Sequence, residues 1–187
     1  MEEEANFCIE MAREKMEKAL RHLEDELAHV RAGKASPNIL DGISIDYYGA
    51  ITPLSQVSNI GTPDPKTIVI QPWDKSMIDT IEKAILYANI GLTPMNNGEL
   101  IRLSIPPLTE ERRRNLVKQV KTMGENTKIS IRNARRDAND ELKKLLKEGL
   151  PEDIEKEAVI EVQGLTDDHI DKIDMVVVGK EKEIMTV

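Results

Sequence analysis

The sequence predicts an α+β protein in which an antiparallel three-helix bundle carries a small inserted domain of strands and one short helix. Three observations lead to this prediction. Apolar residues recur at helical spacing before residue 31 and again after residue 108, whereas residues 31–105 combine strand-like alternation with frequent Pro and Gly. The first apolar face therefore needs a partner of similar length, and the chain offers one only beyond residue 108.

The first helix is predicted over residues 4–30. Its apolar residues are separated by three or four positions, which places them on one face of a helix about 40 Å long. They are Ile9, Ala12, Met16, Ala19, Leu23, Leu27 and Val30.

The second helix is bounded by clear signals at both ends. Pro106 and Pro107 exclude an earlier start, Thr109 can cap the first turn, and Gly149 suits the residue after the last turn. Its apolar face comprises Val117, Val120, Thr127, Ile131, Ala134, Ala138, Leu142 and Leu145.

The third helix is predicted to open at Pro151, followed by acidic residues that suit a helix N-terminus. Gly164, Gly179 and the run Val176–Val178 weaken the prediction towards its C-terminal end, because these residues disfavour helix. Its apolar positions are Ile154, Ala158, Val162, Leu165, Ile170, Ile173, Val177 and Ile184.

Residues 31–105 predict a small domain that contains both strands and helix. Alternation predicts strands at Ile43–Tyr47 and Thr67–Ile70, and apolar spacing predicts a short helix over 75–88. Asn96-Asn97-Gly98 predicts a hairpin turn that leads into a strand at 100–105.

The predicted domains are therefore a discontinuous bundle, residues 1–30 plus 106–187, and an inserted domain, residues 31–105. Two chain crossings connect them, and Gly33 and the Pro106-Pro107 pair make these crossings a plausible hinge. The residues assigned to this hinge are Ala32, Gly33, Ile105, Pro106 and Pro107.

The charge is distributed unevenly along this acidic chain. The net charge is −8, yet residues 109–147 carry 12 basic and 6 acidic side chains. On a helix, eight of these cations fall within about 60° of the direction of Arg132, so they form one stripe beside the apolar face. They are Arg114, Lys118, Lys121, Lys128, Arg132, Arg135, Arg136 and Lys143.

The stripe allows two interpretations. The cations could pair with the acidic helices on either side, or they could form a track for the phosphate backbone of a nucleic acid. The spacing favours the track, because pairing within the bundle would interleave charge signs along the face and only Glu125 does so. No aromatic residues accompany the stripe, which favours contacts with phosphates and RNA shape over base recognition.

Several other functions lack support in the sequence. The acidic N-terminus does not resemble a signal peptide, no apolar stretch is long enough to span a membrane, and the single Cys8 excludes an internal disulfide. Cys8 is predicted to be a half-buried helix residue, and His22 and His29 lack the third ligand of a metal site. Tyr47, Tyr48 and Trp73 are predicted to pack within the inserted domain. We predict no catalytic, metal or cofactor site, since nucleophile, phosphate-loop and metalloprotease motifs are missing.

Four motifs that follow one another along the chain resemble the ribosome recycling factor family. The resemblance extends from the first helix to Glu183-Ile184-Met185 and covers nearly the whole chain. The motifs are Arg31-Ala32-Gly33-Lys34-Ala35-Ser36-Pro37, Asp46-Tyr47-Tyr48-Gly49, Ile101-Arg102 with Pro106-Pro107-Leu108-Thr109-Glu110-Glu111-Arg112-Arg113, and Arg132-Asn133-Ala134-Arg135-Arg136-Asp137-Ala138-Asn139-Asp140.

This resemblance implies a fold and a function. It implies a three-helix bundle hinged to a β/α/β sandwich domain, in a cytoplasmic, monomeric, non-enzymatic protein without a cofactor. Such a factor binds the large ribosomal subunit after termination, and elongation factor G with GTP then drives dissociation of the complex. Arg132, Arg135 and Arg136 match the family's RNA-contacting arginines, and Arg31 and Lys34 match basic positions near the hinge.

This chain departs from the family at two positions. Many family members have arginine where Lys34 stands, and lysine would keep the attraction to phosphate but lose bidentate geometry. Gly164 also departs from the family's pattern, in a stretch that often reads Gln-Lys-Leu-Thr-Asp; it bears on helix stability and not on function.

Two alternatives from other classes remain at the level of sequence. A helical adaptor or chaperone would bind proteins through apolar surface, with no preference for ribosomes and little dependence on salt. A hydrolase would place its site in the cleft between the domains, which the missing catalytic motifs disfavour.

Overall fold

The computed structural model describes residues 1–186 and has the predicted α+β architecture. It divides into a helical unit, Met1–Val30 together with the chain from Glu111 onward, and a sheet unit, Arg31–Glu110. Within residues 1–186 the α-helices are α1 (Glu2–Ala28), α2 (Leu54–Val57), α3 (Ile78–Tyr87), α4 (Glu110–Lys147) and α5 (Glu152–Met185). The strands in the same part of the chain are β1 (Ser44–Tyr47), β2 (Ala50–Pro53), β3 (Ser58–Asp64), β4 (Thr67–Pro72), β5 (Pro94–Asn96) and β6 (Ile101–Ser104).

In the helical unit, α4 runs antiparallel to α1 and α5. The first half of α1, from Glu4 to Lys15, lies beside residues 134–148 of α4, and the second half, from Lys15 to Glu26, lies beside residues 123–130. Arg113 at the start of α4 donates to the carbonyl of Thr186, just beyond the end of α5, at 3.1 Å. The apolar faces of the three helices form one core, whose fully buried members include Met16, Leu23, Val120, Ile131, Leu142, Val162, Ile173 and Ile184.

The end of α4 follows the signals in its sequence. Gly149 adopts φ +112°, a left-handed conformation that glycine reaches without a Cβ penalty. The N–H of Leu150 donates to the carbonyl of Leu145 and the N–H of Gly149 to that of Leu146, which is the Schellman arrangement of a helix C-terminus. The chain therefore turns within a few residues, and α5 begins directly after Pro151.

The sheet unit combines the β1–β2 hairpin, α3 and a four-stranded antiparallel sheet in the order β3-β4-β6-β5. Ile68 lies opposite Leu103 and Ile70 opposite Ile101, so these four side chains share one face. They are buried in one core with Ile81 and Ile85 of α3. The predicted strands and helix are present, whereas β2, α2, β3 and β5 were not predicted.

Two of the three aromatic residues that were predicted to pack in this unit are exposed. Tyr47 packs against the core of the sheet unit, but the accessible fractions are 73% for Tyr48 and 70% for Trp73. Tyr48 lies in the turn between β1 and β2 with φ +50°, and its hydroxyl donates to Asp74 at the surface. The packing prediction is therefore wrong for Tyr48 and Trp73.

Candidate nucleic-acid interface

The predicted stripe of cations lies along α4, which is continuous from Glu110 to Lys147. We call these eight residues the basic surface: Arg114, Lys118, Lys121, Lys128, Arg132, Arg135, Arg136 and Lys143. Six of them are exposed, and Lys128 and Arg135 are half-buried. At 1.5 Å per residue the stripe extends about 44 Å from Arg114 to Lys143.

Most of the basic surface is not neutralised by the neighbouring helices. Within residues 1–186, no ion pair forms at Lys118, Lys121, Arg132, Arg136 or Lys143. Like charges one turn apart on a helix repel each other by a few tenths of a kcal/mol. The positive potential along this face therefore remains available to an anionic partner.

Lys128 differs from the rest of the basic surface. Its ammonium lies 2.6 Å from Asp174 of α5 and 3.3 Å from Glu125, and only 14% of its side chain is exposed. The hydrogen bond to Asp174 raises the pKa of Lys128, and the bond to Glu125 raises it further. The charge of Lys128 is therefore paired within the helical unit.

Arg135 also faces α5, but through a neutral contact. Its guanidinium donates to Oε1 of Gln163 at 3.3 Å, and Gln163 in turn donates to Asp167 at 2.9 Å. These two hydrogen bonds fix the orientation of the Arg135 guanidinium, but Gln163 is neutral and leaves the positive charge of Arg135 unneutralised. Arg132, Arg135 and Arg136 therefore form a cationic cluster at the middle of the basic surface.

Arg31 and Lys34 belong to the sheet unit and are half-buried. Of the predicted hinge residues, Ala32 is 4% exposed, and Ile105 belongs to the sheet-unit core and donates its N–H to the carbonyl of Lys66 at 2.7 Å. Gly33 has φ +75°, and a Cβ there would lie 3.0 Å from Cγ of Leu108. Pro106 and Pro107 are exposed.

Two residues that position α4 were not singled out from the sequence. Arg113 donates to the carbonyls of Ile184 and Thr186, so it satisfies acceptors at the end of α5. Gly124 is buried against α5, where an added Cβ would lie 2.7 Å from Cγ2 of Val177. A glycine at a core position between apolar residues was the available signal for this close approach.

Within residues 1–186, His, Cys, Asp and Glu side chains form no group of three that could hold a metal ion. In the same part of the chain, no helix has the length and apolar character that a membrane crossing requires.

Comparisons with known proteins agree with this fold. A model of the ribosome recycling factor family matches residues 23–185. The ribosome-recycling factor of Flavobacterium johnsoniae is 57% identical over 187 residues, covering 100% of both chains. That of Porphyromonas gingivalis is 59% identical over 185 residues, covering 98% of this chain and 100% of the relative.

Solved structures show the same similarity. A solution structure of the ribosome recycling factor superposes with a TM-score of 0.83 at 39% identity, covering 98% of both chains. A second match is a set of models of the T. thermophilus ribosome recycling factor and the E. coli elongation factor G, bound to the E. coli post-termination complex. Its TM-score is 0.66 at 44% identity, covering 97% of this chain and 99% of the other.

The fold and these similarities together define a factor of protein biosynthesis. More specifically, the chain belongs to the ribosome recycling factor family.

Proposed function

We propose that this protein binds the large ribosomal subunit after termination and, with elongation factor G and GTP, dissociates the post-termination complex. In this proposal it acts in the cytoplasm as a monomer, without a cofactor and without catalysing a reaction. Elongation factor G binds and hydrolyses the GTP. Family membership supports the role, and the assembly named for the T. thermophilus relative supports the partners.

The basic surface is the observation that carries this proposal. Five of its cations are exposed and form no ion pair within residues 1–186, although the chain as a whole is acidic. A phosphate backbone would release counterions on binding such a surface, so the affinity should fall as salt concentration rises. We infer that ribosomal RNA is the partner of α4.

The composition of the surface favours recognition of RNA shape. Lysine and arginine side chains contact phosphates without reading the sequence, and no exposed aromatic residue lies within the basic surface. Arg31 and Lys34 are proposed as additional RNA contacts from the sheet unit. Lys128 is the weakest candidate of the set, because Asp174 and Glu125 already hold its ammonium.

Binding through the basic surface is tested with the variant Arg132→Ala/Arg135→Ala/Arg136→Ala. Filtration binding to purified large subunits at several salt concentrations should show weaker affinity and a smaller salt slope than the wild type. The matched control is Lys156→Ala/Lys172→Ala/Lys182→Ala, which removes three exposed lysines of α5 outside the basic surface. Equal affinity of both variants at every salt concentration would contradict the proposal.

Dissociation is tested on post-termination ribosomes in sucrose gradients. Splitting should require this protein, elongation factor G and GTP together, and omission of any one should leave the particles intact. The protein alone should show no GTP binding by calorimetry, because it lacks a phosphate-binding loop. Splitting without elongation factor G would refute the assignment of the energy source.

A further inference from the structure

A groove of about 740 Å³ lies between the first half of α1 and the second half of α4. It is lined on one side by residues from Glu4 to Lys15 and on the other by residues from Ala134 to Glu148. The twelve residues from Glu4 to Lys15 span about 16 Å of helix, so the groove has room for about three turns of a helix or a short extended segment.

Large apolar side chains in this groove remain open to solvent. The accessible fractions are 65% for Phe7 and 37% for Met11. Beneath them lie the small side chains Ala12, Ala134 and Ala138, which leave space between the two helices. Exposed apolar side chains along a groove are a common feature of surfaces that bind amphipathic segments.

The charged residues around the groove are predominantly acidic. Among the lining residues, acidic side chains outnumber lysines five to two. Both lysines are already paired, Lys15 with Asp137 at 3.3 Å and Lys144 with Glu141 at 2.9 Å. Within residues 1–186, Asp140 and Glu148 form no ion pair, so the rim keeps a net negative charge.

The thiol inside the groove responds to this environment. Burial raises the pKa of Cys8, and the carboxylates of Glu141 and Glu4 raise it further. Negative potential therefore reaches the floor of the groove as well as its rim. Cys8 is also the only cysteine in the chain, so its reactivity reports on this groove alone.

The groove is separate from the basic surface. At 100° per residue, Asp137, Glu141 and Glu148 lie about 140–180° around α4 from Arg132, and Asp140 lies about 80° from it. A ligand of the groove therefore approaches a different side of α4 from a ligand of the basic surface. An RNA partner does not fit here, because its phosphates would meet carboxylates.

We propose that the α1–α4 groove binds a basic amphipathic segment of a partner protein. Apolar side chains of this segment pack against Phe7 and Met11, and its lysines or arginines face Asp140 and Glu148. Charge complementarity selects a cationic segment, and the exposed side chains of Phe7 and Met11 select one with an apolar face. This inference concerns a second surface and does not depend on the proposed RNA contacts of α4.

The test uses the full-length protein and a designed probe, a lysine/leucine peptide of about 14 residues with apolar residues at helical spacing. The peptide should bind, measured by fluorescence anisotropy, and should slow the alkylation of Cys8 by uncharged iodoacetamide at least tenfold. A scrambled peptide and a glutamate/leucine peptide of the same length should do neither.

Charge reversal locates the binding. Asp140→Lys/Glu148→Lys should weaken peptide affinity about tenfold, because two attractions become repulsions. Phe7→Ser/Met11→Ser should also weaken it, and both side chains are exposed enough for the fold to tolerate the change. The matched control Asp168→Lys/Asp171→Lys, which reverses two exposed acids of α5 outside the groove, should stay within twofold of the wild type.

Four outcomes would overturn the proposal. They are no binding of the lysine/leucine peptide, binding without protection of Cys8, equal affinity of the groove and control variants, and preference for the glutamate peptide. Self-association without peptide that protects Cys8 and disappears in Asp140→Lys/Glu148→Lys would identify a second copy of this chain as the occupant instead. Large-subunit binding measured on the same variants tests the basic surface separately.

Discussion

Lys128 and Arg132 lie one helical turn apart on α4, yet their surroundings differ. Lys128 is held by Asp174 and Glu125 with 14% of its side chain exposed, whereas Arg132 is exposed and has no acidic partner within residues 1–186. A cation that joins α4 to α5 contributes to folding, and an exposed one is free for binding. Substitution separates the two roles.

We expect Lys128→Ala to lower the free energy of unfolding by about 1 kcal/mol, because an ion pair between two helices is lost. Arg132→Ala should change it by less than about 0.5 kcal/mol but weaken large-subunit binding. The raised pKa of Lys128 means that its contribution is complete below the unfolded pKa of about 10.4 and disappears as pH rises through the folded value. Urea unfolding between pH 7 and 11 should therefore show the difference between wild type and Lys128→Ala shrinking at the alkaline end.

The Tyr48 hydroxyl donates to Asp74 at 2.5 Å, and this bond connects the β1–β2 turn to the short 3-10 helix at Lys75–Met77. The bonds from Ser76 and from Tyr48 lower the pKa of Asp74, and the bond to Asp74 raises the pKa of Tyr48. A lowered carboxyl pKa gives stability that is lost as pH falls, and a raised phenol pKa gives stability that is lost as pH rises.

Tyr48→Phe should therefore reduce stability most in the neutral range. The difference from the wild type should be constant between about pH 5 and 9 and should shrink on both sides. Tyr47→Phe is the control, because no hydrogen bond from the Tyr47 hydroxyl is present within residues 1–186. Thermal unfolding across pH would contradict the assignment if Tyr48→Phe lost equal stability at pH 2.5 and pH 7.

At the scale of elements, periodicity was sufficient for the three long helices. The glycines and valines that weakened the prediction for α5 do not interrupt it, and the helix continues to Met185. Val162, Ile173 and Ile184 are fully buried along its length, so packing outweighs a propensity cost of about 1 kcal/mol per glycine. Tertiary contacts therefore keep the C-terminal part of α5 helical.

The short elements of the sheet unit were harder to predict. The β1–β2 turn uses Tyr48 at φ +50° and Gly49 at φ +91°, whereas Asn-Gly or Asp-Gly would have been the recognisable pair. The strand β3 contains Gly61 and Pro63 and a register shift, so it lacks the alternation that reveals a strand. Pairing with β4 supplies the hydrogen bonds that define it.

Gly124 sets the approach of α4 to α5, and Gly124→Ala should test this. The added methyl would lie 2.7 Å from Cγ2 of Val177, a β-branched side chain that cannot rotate freely in a helix. Overpacking costs about 1–3 kcal/mol, and alanine's better helix propensity offsets about 1 kcal/mol. We expect a net loss of about 1 kcal/mol in urea unfolding.

Gly164→Ala is the matched control for Gly124→Ala, because nothing lies within 4 Å of its added Cβ. It should stabilise the protein by about 0.5–1 kcal/mol. Val177→Ala in the Gly124→Ala background should recover part of the loss, since it removes the methyl that the new Cβ meets. Stabilisation by Gly124→Ala alone would show that the helices adjust without cost.

At the scale of the whole molecule, the sequence was sufficient to locate the basic surface, but it did not show which of its cations are paired within the helical unit. Helical geometry and charge spacing placed all eight cations on α4. The pairing of Lys128 with Asp174 depends on the register between α4 and α5, 46 positions apart in the chain, which no local pattern encodes. The α1–α4 groove was missed for the same reason, because it exists only once two distant helices pack.

The contacts of the predicted hinge residues limit the positions at which the chain can rotate. Ala32 is buried in the sheet unit, and Ile105 is part of its core and bonded to Lys66, so neither is free to turn. We expect rotation to occur at the outer ends of the two crossings, between Val30 and Arg31 and between Thr109 and Glu110. The first position is a boundary between the two compact units, and the second lies one residue before the other boundary, where α4 begins.

Loosening these crossings should affect ribosome splitting much more than binding to the large subunit. If the helical unit supplies most of the RNA contacts, insertion of Gly-Gly at both positions should leave large-subunit affinity within a few-fold, under about 1 kcal/mol. Splitting by elongation factor G and GTP should slow at least tenfold, because flexible crossings transmit less of the movement of one unit to the other.

The control inserts Gly-Gly between Asn97 and Gly98, in an exposed turn of the sheet unit. Filtration binding and sucrose gradients measure the two effects. Splitting at the wild-type rate would show that the crossings act only as linkers, and a tenfold loss of affinity would show that the sheet unit contributes strongly to docking.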